Sequence, residues 1–117
     1  MIRQAASVAL SLLLASGGAV AADTPPGKAV FDHSCAVCHA PGLGHPGTQR
    51  LAELRGPDRA VLEERTDLDP DYIRHVVRHG LVEMPPWRPS ELDDAALTQL
   101  VQYLARGKSP SSAQIGH

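Results

Sequence analysis

Apolar positions in the second half of the chain recur at helical spacing. Tyr72, Ile73, Val76 and Val77 fall on one face of a helix. Asp69 is its predicted cap, Pro70 its first position and Gly80 its stop. On that helix Arg74, His75 and Arg78 are expected to point away from the apolar face, and His79 suits the negative end of the helix dipole. A last helix carries Leu97, Leu100, Val101 and Leu104 as its stripe, with Asp93 as cap and Gly107 as stop. Between the two, residues 81–92 read as a proline-interrupted loop containing Met84-Pro85-Pro86-Trp87.

The first half is less regular. Residues 24–35 predict a helix capped by Thr24, with Ala29, Val30 and Phe31 as its apolar patch and Asp32 and His33 toward solvent. Residues 40–48 are a Gly/Pro-rich loop in which His45 is expected to be exposed. Over 49–67, Leu51, Leu54, Ala60, Val61 and Leu62 suggest one or two short helical turns broken at Gly56-Pro57. No stretch alternates like a strand, so the fold class is all-α.

The N-terminus has a different pattern. Arg3 precedes the apolar run from Val8 to Ala15, and small residues lead to Ala21-Ala22, the layout of a cleaved secretory signal over 1–22. One domain over 23–108 follows, then a tail, 109–117, expected to be disordered. The expected location is the periplasm, with no membrane span in the mature chain.

The 117 residues carry a formal net charge of −2, and loss of Arg3 moves the balance one unit further negative. There is no basic tract, which argues against nucleic acid as a partner. One Phe, one Trp and two Tyr make a thin core for so short a chain, and small domains of this kind need a staple. A disulfide between Cys35 and Cys38 would close too tight a loop to serve.

Cys35-Ala36-Val37-Cys38-His39 instead has the spacing of c-type haem attachment. Two thiols about one helical turn apart can form thioethers to the two vinyl groups of one porphyrin. The next residue, His39, can then bind the iron on the proximal side. A thioredoxin-like site would need a βαβ context, and no strand-like run precedes Cys35. A zinc site would need a second ligand pair, for which His75 and His79 are the candidates. Pro46 is expected to supply the carbonyl that accepts from the second ring nitrogen of His39, and Arg65 is the candidate partner of a haem propionate.

Met84 is the one methionine besides Met1, on a loop stiffened by two prolines. A soft thioether held there suits a distal iron ligand, with His75 or His79 as the alternative. One covalent haem c with His39 and Met84 on iron implies single-electron transfer. An open iron site would instead imply a gas sensor or a peroxidase-like enzyme, and a haem-bearing structural subunit is a third reading.

The run Gly27-Lys28-Ala29-Val30-Phe31, the haem motif, Met84-Pro85 and Tyr103-Leu104 together resemble class I cytochromes c. The resemblance implies that the first and last helices cross, with Gly27 and Phe31 against Leu100 and Tyr103. More narrowly, Glu64-Arg65, Tyr72-Ile73, Val76-Val77-Arg78, Gly80, Met84-Pro85 and Tyr103-Leu104 are similar to the cytochrome subunits of p-cresol methylhydroxylase-type flavocytochromes. In that family the cytochrome takes electrons from a flavoprotein that oxidises a 4-alkylphenol. The resemblance implies an electron carrier rather than an enzyme, with a flavoprotein or quinoprotein dehydrogenase as donor and a respiratory-chain acceptor. The 49–60 segment is longer here than in that family.

Overall fold

Pro25 decides where the first helix starts. A residue before proline is kept out of the helical region, and Pro25, followed by Pro26, sits at φ −54°, ψ 138°. Helix α1 therefore runs Pro26–Ser34 with no side-chain cap, and the expected cap at Thr24 is not made. In this computed structural model the described residues are 23–107, so the expected signal (1–22) and tail (109–117) lie outside them.

Cys35, at φ −115°, ψ −33°, interrupts the helix without ending the hydrogen-bonded run. Its N–H donates to Phe31 O (2.8 Å), and its own carbonyl accepts from His39 N–H (2.9 Å) as α2, Ala36–His39, begins. The expected loop after the motif is shorter than its composition suggests. Pro46 is tolerated at a first helical position, so α3 already runs Pro46–Arg55. The break at Gly56 (φ +91°) is where it was expected, and single 3₁₀ turns follow at Pro57–Arg59 and Leu62–Glu64.

Helix α4, Pro70–His79, has the expected ends. Asp69 Oδ1 accepts from Asp71 and Tyr72 N–H (both 3.0 Å), and Gly80 N–H closes the helix on Val76 O (2.7 Å). Helix α5, Asp94–Leu104, is capped by Asp93, which accepts from Ala96 N–H (2.8 Å). It ends before Gly107, which instead packs against Thr66. Among the described residues there is no strand, only an isolated bridge between Leu81 and Met84.

The core forms where α1, α4 and α5 meet. Leu97, Leu100, Val101 and Leu104 are all buried with Phe31, Ile73, Val77 and Leu92, each such side chain contributing about 1.5–3 kcal/mol. The crossing of α1 and α5 has the expected members. A Cβ on Gly27 would lie 2.1 Å from Gln99 O and 2.4 Å from Tyr103 Cβ, so only glycine allows this approach. Phe31, fully buried, meets the Tyr103 ring with centroids 6.3 Å apart.

Three residues of α4 depart from the periodic reading, and Arg74 is one: expected to point away from the apolar face, it is half-buried and donates from Nη1 to Thr98 Oγ1 of α5 (3.4 Å). Tyr72 is 50% exposed, although it was counted on the apolar face. Arg78 was counted on the outer face, yet it is half-buried and bonded to the following loop and to α5. Its long stem lets the head fold back over the helix end, which side-chain spacing alone does not show.

Candidate functional site

The cysteine motif occupies the break between α1 and α2. Both thiols are free, and Cys35 packs against the core while Val37, between the two, is 73% exposed. Burial pushes the Cys35 thiol up to about 11, with a smaller contribution from Cys38.

His39 ends α2 partly buried, and desolvation lowers its pKa, so the ring is neutral at neutral pH with a lone pair available. Its Nδ1 is buried with no hydrogen-bond partner. The expected bond to the Pro46 carbonyl is not formed, because Pro46 is the first residue of α3 and its carbonyl points along the helix axis.

What holds the ring is Gly47, a residue the sequence did not single out. A Cβ there would lie 2.6 Å from His39 Cε1, 2.8 Å from its Nδ1 and 2.8 Å from Cys38 O, so the glycine lets α3 lie flat against the imidazole. Two side chains pin α3 to the motif. Thr48, buried, donates from its hydroxyl to Ala40 O (2.9 Å), and His45 Nδ1 donates to Val37 O (3.1 Å). His45 is thus a half-buried brace rather than the exposed turn residue expected.

Met84 is half-buried against the same core cluster that Cys35 touches. The turn that carries it is tight: Leu81 N–H donates to Met84 O (3.0 Å) and Met84 N–H to Leu81 O (2.9 Å). Gly80, at φ +76°, opens the turn, and a Cβ there would meet Met84 O at 2.6 Å. Val82 takes φ +52°, a left-handed conformation costly for a β-branched residue. The residue before Met84, Glu83, lines a cleft of about 380 Å³ with Pro46, Gln49, Arg50 and Glu53 of α3. The methionine turn and the helix behind His39 therefore border one opening.

His75 and His79 stack on each other (centroids 4.3 Å) on the exposed side of α4, and His79 Nδ1 donates to His75 O (2.9 Å). Among the described residues no group of three or more His, Cys, Asp or Glu could hold a metal ion, so the zinc alternative lacks its ligand set. Arg65 has a fixed partner, since its Nε and Nη2 donate to the two oxygens of Asp67 (2.8 and 2.9 Å). That fork holds the Asp67 carboxyl down at about 2.

Two free thiols on one helical run, a partly buried neutral imidazole cradled by glycine, and a core-bedded thioether form a donor set that fits a haem. In a comparison with protein families, residues 22–104 match the model described as cytochrome c oxidase, cbb3-type, subunit III. The cytochrome c subunit of 4-cresol dehydrogenase [hydroxylating] from Pseudomonas putida is 35% identical over 102 residues, covering 86% of this chain and 78% of that protein. A crystal structure of p-cresol methylhydroxylase with substrate bound contains a chain 38% identical to this one, covering 68% of this chain and 88% of that one, with a TM-score of 0.49. A family match that runs from before α1 to the last residue of α5, with a relative aligned over most of both lengths, makes this chain a member of the cytochrome c family, and so a haem protein.

Proposed function

We propose that this protein is a one-electron carrier whose single haem c is held by Cys35 and Cys38 and ligated by His39 and Met84. The observation that carries the reading is the Cys35–His39 run with His39 partly buried and its ring kept neutral by desolvation. When bound, haem supplies a reversible one-electron iron couple.

The chain's own part is to hold donors still. Desolvation keeps the His39 ring unprotonated, and Gly47 restricts its tilt. Met84 offers a soft donor that favours the ferrous state. Were His39 and Met84 both to hold the iron, they would leave no place for a substrate or gas, which would separate a carrier from a sensor or a peroxidase-like enzyme.

In this reading residues 1–22 are a signal removed on export, 23–108 form the cytochrome domain, and the carrier works in the periplasm. No helix among the described residues is long and apolar enough to cross a membrane. A flavoprotein dehydrogenase acting on a 4-alkylphenol is the donor, and a respiratory-chain component the acceptor. The support is the 4-cresol dehydrogenase cytochrome subunit to which this chain is similar. Docking uses the apolar surface around the motif and the methionine turn: Val37, Pro41, Pro85 and Pro86 are exposed, and Val82 is 85% exposed. Exposed Glu83 stands at its rim, whereas Arg88 is already balanced by Glu91 (3.1 Å).

Protein matured in a cytochrome-c-assembling host should carry the added mass of one haem and keep it through denaturation and acid extraction. Cys35→Ala and Cys38→Ala should weaken or abolish that retention. A mature mass without a haem adduct overturns the covalent assignment. In stopped flow, a 4-alkylphenol-oxidising flavoprotein should reduce the wild type directly and Val37→Asp and Pro86→Asp more slowly. Unaltered rates in both move the docking face elsewhere, and rapid carbon monoxide binding to the ferrous protein favours the open-site reading.

A further inference from the structure

The methionine turn is tied down at its exit as firmly as at its entry. Trp87 N–H donates to Val77 O (2.7 Å), returning the chain to the last turn of α4. The Trp87 carbonyl accepts from Arg78 Nη1 (3.1 Å), the same nitrogen that donates to Leu92 O (2.8 Å). Arg78 Nη2 pairs with Asp94 Oδ1 (2.6 Å) in the first turn of α5. One guanidinium, its side chain only 18% exposed, thus joins α4, the end of the methionine turn, the end of the next loop and the start of α5.

We propose that Arg78 is the positioning residue for the Met84 ligand. The inference rests on the reading of Met84 as an axial donor. A thioether bound by coordination alone competes with every other ligand, and its share depends on how much loop ordering must accompany each binding event. Arg78 removes that cost in advance: Nη1 holds the Trp87 and Leu92 carbonyls while Nη2 holds Asp94, three partners that a planar guanidinium spans at once. Its loss leaves two carbonyls without their charged donor and frees the exit of the turn.

Arg74 provides the internal control. One turn earlier on α4, it also bridges to α5, through Thr98 Oγ1 (3.4 Å), and among the described residues it makes no side-chain hydrogen bond to the methionine turn. If an arginine matters here only by stapling α4 to α5, the two should behave alike.

The test is titration of the ferric holoprotein with imidazole, followed by loss of the weak red band of methionine–iron coordination, alongside the reduction potential. Arg78→Met should lower the apparent Kd for imidazole roughly tenfold or more, the worth of even one of the charge-assisted hydrogen bonds it removes, and lower the potential. Arg78→Lys, which keeps the charge without the fork, should move both in the same direction by less. It carries the test if Arg78→Met fails to accumulate. Arg74→Met should leave both readings near wild type. Equal effects of the Arg74 and Arg78 variants, or unchanged imidazole affinity in Arg78→Lys and Arg78→Met, overturn the proposal. Absence of the red band in the wild type itself overturns the Met84 reading instead.

Discussion

The segments on the two sides of the proposed iron are built in opposite ways. The attachment side, from Cys35 to Thr48, buries little beyond Thr48 and is held by side-chain bonds onto its own backbone carbonyls, with Gly47 laid against His39. The methionine side rests on buried Ile73, Val77 and Leu92 and is clamped by Arg78 and the Trp87 peptide. The difference teaches how a ligand can be kept in place. Where thioethers would fix the ligand's neighbours, the chain can be thin and glycine-rich. Where coordination is the only bond, the surrounding protein has to supply the rigidity.

Removing the ligand on the clamped side has the largest expected effect. Met84→Ala should abolish the red band, lower the potential and cost about 2 kcal/mol in stability, since the side chain is only half-buried. An unchanged spectrum would mean that the clamp holds no ligand, and the contrast between the two sides would collapse.

Two methyl insertions sharpen the comparison by separating stability from ligation. Gly27→Ala drives a Cβ into the Gln99 carbonyl at the helix crossing and should cost about 1–3 kcal/mol with little change in potential. Gly47→Ala drives its Cβ into the His39 ring, so the expected signature is a shifted spectrum and potential with a smaller loss of stability. Chemical denaturation and redox titration of both variants distinguish the cases. The same signature from both would show that the attachment side is as core-dependent as the other.

Val82→Gly should have the smallest effect. The left-handed conformation costs a branched residue about 1–2 kcal/mol, and glycine returns part of that as backbone entropy. A gain of up to about 1 kcal/mol is expected, with the red band retained, because the Val82 side chain is exposed and buries nothing. A loss of stability would show that the strained turn depends on that side chain.

Local chemistry was legible without a structure. Asp69, Asp93, Gly56 and Gly80 act within a turn of where they stand, so the caps and breaks they predict are found in place. The Cys35–His39 spacing is likewise a property of a single helical run, and the α5 stripe is buried throughout as its period predicts. The start of α1 was legible in principle, since Pro25-Pro26 forbids the earlier cap, whereas Pro46 inside a Gly/Pro-rich run hid the start of α3.

Tertiary structure decided whatever depends on partners distant along the chain. Arg78 sits on the polar side of α4 by spacing, and only the return of the chain at Trp87 and Asp94 draws its head inward. Gly27 and Gly47 matter because of what approaches them, Gln99 in one case and the His39 ring in the other, and a glycine's neighbours are not written beside it. Periodicity assigns a residue to a face of its own helix, but the contacts of a long side chain or a bare backbone are set by which other segment arrives there.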